Sequence, residues 1–282
     1  MKIYYKKFLI FILYFLLLAE CSKKVEQSLP ITEKTINLQM IEAYNEGLKQ
    51  LNTGDVLYAA KKFNEAELLL PQSEWAPRSV LMAAYSYYSQ DYYNDAIFEL
   101  NRFLKVYPKH KNADYAYFLL AICYYEQIVD EKKDLFSIIE SKFFFEYILE
   151  EYPTTDYATD SKFKLELISN ILASKEMYLA RYYMDQEKWI PAINRFKKIL
   201  EEYDETVYIE EALHRLVEIY YIIGLVNESE KYAATLGYNY QSSAWYSKSY
   251  SIFNKKYQKN IDLIKKDKKK IKVIEKIKSL IK

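Results

Sequence analysis

Ala96-Ile97-Phe98-Glu99-Leu100-Asn101-Arg102-Phe103-Leu104-Lys105-Val106-Tyr107-Pro108 is the stretch that decides the fold. A small residue at 96 is followed four and seven positions on by Leu100 and Phe103, and five residues later by Pro108. That spacing places all three side chains on one helical face. Ala lets the face approach a second helix closely, the larger residue one turn later wedges into the gap, and the Pro ends the helix where a missing N–H costs little. The stencil recurs as Ala59, Phe63, Ala66, Pro71; as Ser141, Phe145, Ile148, Pro153; as Ala192, Phe196, Ile199, Asp204; and as Ser229, Ala233, Leu236, Gln241.

Successive closing positions lie 37, 45, 51 and 37 residues apart, so the smallest unit is slightly longer than the ~34 residues of a tetratricopeptide repeat. The expectation is an all-α, right-handed superhelical solenoid of about five tetratricopeptide-like helical hairpins, with units at 40–71, 77–108, 113–153, 157–204 and 208–241. A terminal helix at 243–257 would cap the stack, giving a repeat domain over 40–257. Extra length in the third unit falls in a charged loop near 129–136, and in the fourth in an additional stretch around 157–173. Gly54 and Gly224 sit at interhelical turns, where a positive φ is expected. Composition agrees: 282 residues hold only 4 Gly and 6 Pro, too few turn formers for a sheet protein, while 51% hydrophobic residues exclude disorder.

The net charge of +1 hides an asymmetry. Residues 255–282 carry +9, with twelve Lys, and residues 1–20 carry +2, which leaves −10 for 21–254. An acidic body argues against a nucleic-acid surface, so nucleic acid is not an expected partner. Lys2, Lys6 and Lys7 precede twelve apolar residues, Phe8 to Ala19, too short to span a bilayer and well matched to an export signal over 1–20. Leu18-Ala19-Glu20-Cys21 resembles a bacterial lipobox, with Glu20 where Gly, Ala or Ser is usual. Cys21 would then be lipidated, and two or more acyl chains suffice for a stable membrane anchor; the alternative is an uncleaved anchor or an ordinary signal peptide. Ser22 resembles the residue that permits sorting to the outer membrane. Residues 21–39 read as a tether from the lipid to the repeats. Cys123, left without a partner, lies in an apolar helical stretch and reads as a small buried hydrophobe.

Nothing in the sequence implies a catalytic centre or a cofactor. His110 and His214 are a hundred residues apart with no Cys or carboxylate cluster beside them, which is not metal spacing. There is no phosphate-cradling Gly-rich loop and no Gly-x-Ser-x-Gly elbow. Glu150-Glu151 and Glu201-Glu202 fall at helix ends and read as solvated faces. Surface remains. The inner face of the first helix of each hairpin offers Tyr44 and Leu48 from unit one, Arg78, Leu81, Tyr85 and Tyr88 from unit two, and Tyr115, Phe118, Ile122 and Tyr125 from unit three. Aromatic rings with an Arg at one end suit an extended or C-terminal peptide. Trp75, placed in the loop before unit two, would staple hairpins or bind. The alternative for each Tyr is packing between neighbouring hairpins.

Trp75-Ala76-Pro77-Arg78-Ser79, Arg102-Phe103 before Tyr107-Pro108, Cys123-Tyr124-Tyr125-Glu126-Gln127-Ile128, Ala192-Ile193-Asn194-Arg195-Phe196 and Leu236-Gly237-Tyr238-Asn239-Tyr240 resemble the BamD family of outer-membrane assembly lipoproteins. The likeness covers about 40–250, with Gln241 where relatives often carry Pro. It implies five repeats behind a lipidated Cys, no catalysis and no cofactor, and a place at the periplasmic face of the outer membrane. The C-terminal repeats would dock on the POTRA domains of the barrel subunit BamA, with Asn194 and Arg195 as contacts. Trp75, Arg78, Tyr85, Tyr88 and Tyr44 would engage the aromatic C-terminal signal of unfolded outer membrane proteins. Other lipoproteins of the same complex are further candidate partners.

The Lys-rich tail, 258–282, is outside the resemblance. Ile261, Ile264, Ile271, Ile274, Ile277 and Ile281 fall roughly on one helical face, suited to anionic lipid or an acidic partner; the alternative is a frayed, solvated extension. Rival readings are a generic periplasmic repeat adaptor for cell-wall or division proteins, and the scaffold of a peptidoglycan lytic enzyme, for which no residues remain to build a catalytic domain.

Overall fold

The computed structural model describes residues 35–129 and 135–254. Among these there are eleven helices and no strand: α1 (Ile36–Thr53), α2 (Val56–Leu69), α3 (Trp75–Tyr88), α4 (Tyr93–Val106), α5 (Ala113–Glu126), α6 (Phe136–Glu151), α7 (Asp156–Asp185), α8 (Trp189–Glu202), α9 (Ile209–Ile222), α10 (Val226–Asn239) and α11 (Ala244–Phe253). Consecutive helices pair into five stacked hairpins, α1/α2 to α9/α10, and α11 closes the end against α9 and α10. This is the all-α, tetratricopeptide-like solenoid that the stencil demands.

The stencil residues form the spine of the core. Of the fifteen small and apolar positions, all but Ala233 are fully buried, including Phe63, Phe103, Phe145 and Phe196. Burying each Phe contributes about 1.5–3 kcal/mol, and no hairpin could collect that area alone. Cys123 is buried in the core between the second and third hairpins, and burial pushes its thiol up to about 12, so it is an inert packing group.

Three boundaries differ from expectation. The first helix begins at Ile36, inside the expected tether, because Thr35 caps it: its hydroxyl accepts from the Leu38 N–H at 3.4 Å. Trp75 is the first residue of α3, and no loop residue. The fourth unit's extra residues form no separate stretch. They lengthen α7 to 30 residues, about 45 Å, since no Gly or Pro occurs between Pro153 and Pro191 to break it. Its first half packs Ala158 and Ile168 against α5 and α6, and its second half packs Met177 and Ala180 against α8. The signal, Cys21, residues 130–134 and the tail lie outside the described residues.

The four hairpin turns that lie wholly among the described residues share one conformation. Gly54, Asp91, Glu187 and Gly224 adopt φ of 89°, 64°, 56° and 82°. In each case the next residue's N–H reaches back to the helix: Asp55 to Gln50 O, Tyr92 to Tyr87 O, Lys188 to Tyr183 O and Leu225 to Tyr220 O, at 2.9 to 3.1 Å. This left-handed cap satisfies carbonyls that the helix end would otherwise orphan. Glycine adopts it freely, whereas a residue with a Cβ is strained by roughly 1–2 kcal/mol. Asp91 is also tied by the Tyr93 hydroxyl, which donates to its Oδ1 at 2.7 Å. Exposed Glu187 is therefore expected to gain about 0.5–1 kcal/mol as Glu187→Gly, while Gly224→Ala loses about 1 kcal/mol. Urea unfolding midpoints of the two variants should move in opposite directions.

Candidate functional site

Arg78, Leu81, Met82 and Tyr85 follow one another at helical spacing along α3, so they share one face of it. With Tyr44 from α1, Lys111 and Asn112 from the loop before α5, and Tyr115 from α5, they line a cavity of about 500 Å³. Three hairpins therefore build one aromatic-walled groove. A second cavity of about 340 Å³ is lined by Glu74, Pro77, Arg78, Lys109, His110 and Lys111. Arg78 and Lys111 belong to both, so the apolar groove opens onto a cationic mouth.

Each wall is fixed by packing. The Tyr44 ring meets Phe63 edge-on at 5.2 Å and Trp75 at 5.1 Å. Burial pushes its hydroxyl up, partly offset by the Arg78 charge. The Arg78 guanidinium lies 5.6 Å from the centre of the Trp75 ring. Trp75 thus supports the groove from behind without lining it. Burial among Tyr85, Tyr157 and Tyr88 also raises Tyr115 well above the ordinary phenol value. His110 is held below its ordinary value by burial and by the Lys111 and Arg78 charges, and its Nδ1 accepts from the Asn112 N–H at 3.2 Å. The mouth therefore takes its positive charge from Arg78, Lys109 and Lys111.

Of the five residues expected in the groove, the structure brings Tyr44, Arg78 and Tyr85 to the cavity wall, with Leu81 and Tyr115. Tyr88 is half-buried against the cores of the second and third hairpins, 6.3 Å from the Tyr93 ring, and does not line the cavity. Ile122 and Phe118 likewise pack in the third hairpin, and Leu48 in the first. Met82 falls between the register positions on α3, and Lys109, Lys111 and Asn112 lie in a loop that the repeat register does not cover. The run Lys109-His110-Lys111 after Pro108 is the signal that could have found three of the mouth's residues.

Asn194 is exposed on α8, but Arg195 is engaged: its Nη1 donates to Glu176 Oε2 at 2.8 Å, beside Lys198 Nζ, which donates to Oε1 at 2.9 Å. His214 is buried, its Nδ1 2.8 Å from Ser249 Oγ on α11 and its Nε2 3.3 Å from Glu218. With Ser249 fully buried, this trio joins the cap to the last hairpin. No group of three or more His, Cys, Asp or Glu that could hold a metal occurs among the described residues. No described helix is long and apolar enough to cross a membrane.

Burial raises the Glu176 carboxyl, yet hydrogen bonds and charge from Lys198 and Arg195 outweigh it and hold the group below its ordinary value of 4.5. A depressed carboxylate stabilises the fold fully above its unfolded value and loses that contribution as pH falls through its folded value. The native chain is expected to melt higher than Glu176→Gln at pH 7, and the gap should begin to narrow as pH falls below about 4.5. Melting curves at pH 7 and in steps through the acid range below about pH 4.5 check this; a gap that does not narrow with acidification would contradict it.

The chain matches the family described as YfiO, outer membrane lipoprotein, over residues 37–236. The outer membrane protein assembly factor BamD of Caulobacter vibrioides is 37% identical over 84% of this chain and 76% of its own length. That of Rickettsia prowazekii is 39% identical over 76% and 85%. Among solved structures, MamA is similar at 16% identity and a TM-score of 0.37, covering 74% of this chain and 96% of that one. On the family match and these two relatives, the chain belongs to the YfiO family of outer membrane lipoproteins, the family of the BamD assembly factors.

Proposed function

We propose that this chain is a non-catalytic, lipid-anchored subunit at the periplasmic face of the outer membrane, which receives the C-terminal segment of unfolded outer membrane proteins. The observation that carries the reading is the aromatic groove opening, through Arg78 and Lys111, onto a cationic mouth. A terminal aromatic side chain suits the wall of Tyr44, Tyr85 and Tyr115, and the free carboxylate at its end suits the Arg78 guanidinium and Lys111 ammonium. Cys21 would carry the anchor. The far end of the array, with exposed Asn194 and, beside it, the partly exposed Arg195 that Glu176 holds in place, would dock on the POTRA domains of the barrel subunit BamA, leaving the groove free; other lipoproteins of the complex could join it.

Peptide binding tests the groove. A decapeptide ending in Phe with a free carboxylate is expected to bind at least tenfold more tightly than its amidated form, and Arg78→Glu should abolish that preference. Trp75→Ala, which removes the support behind Tyr44 and Arg78, is expected to cost about 1–2 kcal/mol of affinity. Equal binding of the free and amidated peptides would sink the carboxylate assignment. Docking is tested separately, since Arg195→Glu should lose the large β-barrel partner on co-purification from mild detergent while peptide affinity is retained.

A further inference from the structure

His110 is held in place by its own backbone. The His110 N–H donates to Tyr107 O at 3.0 Å, closing a turn whose second position is Pro108, and the His110 carbonyl accepts from the Ala113 N–H at 2.9 Å. Pro presets the backbone angle that such a turn needs, so the ring leaves the loop in a fixed direction. It packs edge-on against Phe103, centroids 5.6 Å apart, and its Nδ1 accepts from the Asn112 N–H at 3.2 Å. The neutral ring therefore carries its proton on Nε2. Half-buried in this way, it lines the cationic cavity at the mouth of the groove.

The charges around the ring are unbalanced. From α3 come Glu74 and Arg78, and from the loop Lys109 and Lys111, so three cations and one carboxylate share the cavity wall. The helix α4 brings Phe103 and Tyr107; the Tyr107 hydroxyl donates to Glu67 at 3.1 Å, and burial with the Glu67 charge pushes it up to about 12, so it stays neutral. On α5, Asp114 accepts from the Tyr115 N–H at 2.7 Å and lines neither cavity. Burial and the Lys111 and Arg78 charges together hold the imidazole below its ordinary value of 6.5, which leaves it uncharged at neutral pH. A carboxylate seated between Arg78 and Lys111 would offset the two charges that oppose protonation and set an anion beside the ring. Burial and the Asn112 bond would still oppose the proton, but less strongly than all three together, so the liganded ring binds it at a higher pH than the free ring does.

We infer that His110 is a specificity-determining residue of the groove, taking up a proton as a peptide's terminal carboxylate settles between Arg78 and Lys111, so that anionic termini are held more firmly as the medium turns acidic. This rests on the reading of the groove as a site for a C-terminal carboxylate. Because the complex then holds more protons than its separated parts, affinity rises as pH falls through the value of the liganded ring and levels off below that of the free ring. The terminal carboxylate, at about 3.5, stays ionised throughout that range.

The test uses an acetylated decapeptide ending in Phe and lacking Asp, Glu and His, in free and amidated forms. Between about pH 7.5 and about pH 5.5 the free peptide is expected to bind the native chain at least about threefold more tightly, while the amidated form does not change. Calorimetric titrations at about pH 6 in two buffers of different ionisation enthalpy should show net proton uptake with the free peptide only. His110→Gln and His110→Asn, whose amide oxygens can accept the Asn112 N–H, should bind the free peptide within about twofold of the native chain at the higher pH and lose the rise. A free peptide that outbinds the amide by the same ratio at every pH would overturn the role of His110 and leave the carboxylate site standing. Equal binding of the two forms at every pH would remove the site itself, and the inference with it. A rise that survives in both variants would assign the proton to another group and overturn the inference as well.

Discussion

The array depends on how closely two helices can approach. At the first stencil position the side chain is Ala or Ser in every hairpin, and each is fully buried. One turn later a Phe or Leu occupies the gap that this close approach leaves, except in the fifth hairpin, where Ala233 stands there and is only half-buried. A larger first residue would push the helices apart and strand the wedge, because interiors packed like crystals transmit a misfit of even one methylene. The weaker wedge of the last hairpin is accompanied by a different fastening. Ser229 Oγ donates to Val217 O at 2.8 Å, Tyr220 and Tyr232 stack with centroids 5.5 Å apart, and α11 closes over the end through His214 and Trp245.

The joints between hairpins are of two kinds. Between the first and second, Arg102 donates to Glu67 at 2.6 Å, to Glu99 at 2.9 Å and to Asn64 at 3.0 Å, and Tyr107 donates to Glu67. Between the fourth and fifth, Arg181 grips Glu211, which Arg215 also contacts. The buried carboxylates at both joints need their guanidinium partners, since a lone buried charge is far more costly than the pair is stabilising. The joint between the third and fourth hairpins is aromatic instead, with Tyr157 against Tyr115 and Phe118, and Lys164 4.0 Å from the centre of the Tyr125 ring. Directional polar contacts thus fix the register near both ends, where the groove and the proposed docking face lie.

How much of this was legible depended on whether a residue's role follows from periodicity. The wedge positions did, because a repeated small-large-large spacing has one helical meaning, and Gly54 and Gly224 did, because their backbone freedom is written in their composition. Asp91 and Glu187 occupy the same conformation with nothing in their identity to announce it; only the tertiary turn imposes it. Groove residues on α3 were readable as one face. Lys109, Lys111 and Asn112 were not, since a loop has no period, and Tyr88 was misplaced because a Tyr at the rim and a Tyr between hairpins look alike in sequence. Arg195 has the sequence setting of a surface contact, and only the fold brings it to Glu176, nineteen residues earlier on another helix.

The long α7 has a consequence for how such an array can change over time. Repeat proteins commonly gain or lose units by duplication or deletion, because each unit contacts only its neighbours. Here the first half of α7 belongs to the core of the third hairpin and its second half to that of the fourth. No cut between the third and fourth hairpins frees one without tearing the other, so these two are inherited as one piece and a single unbroken rod holds their spacing. A chain built from interchangeable parts has in this way become a fixed-length ruler.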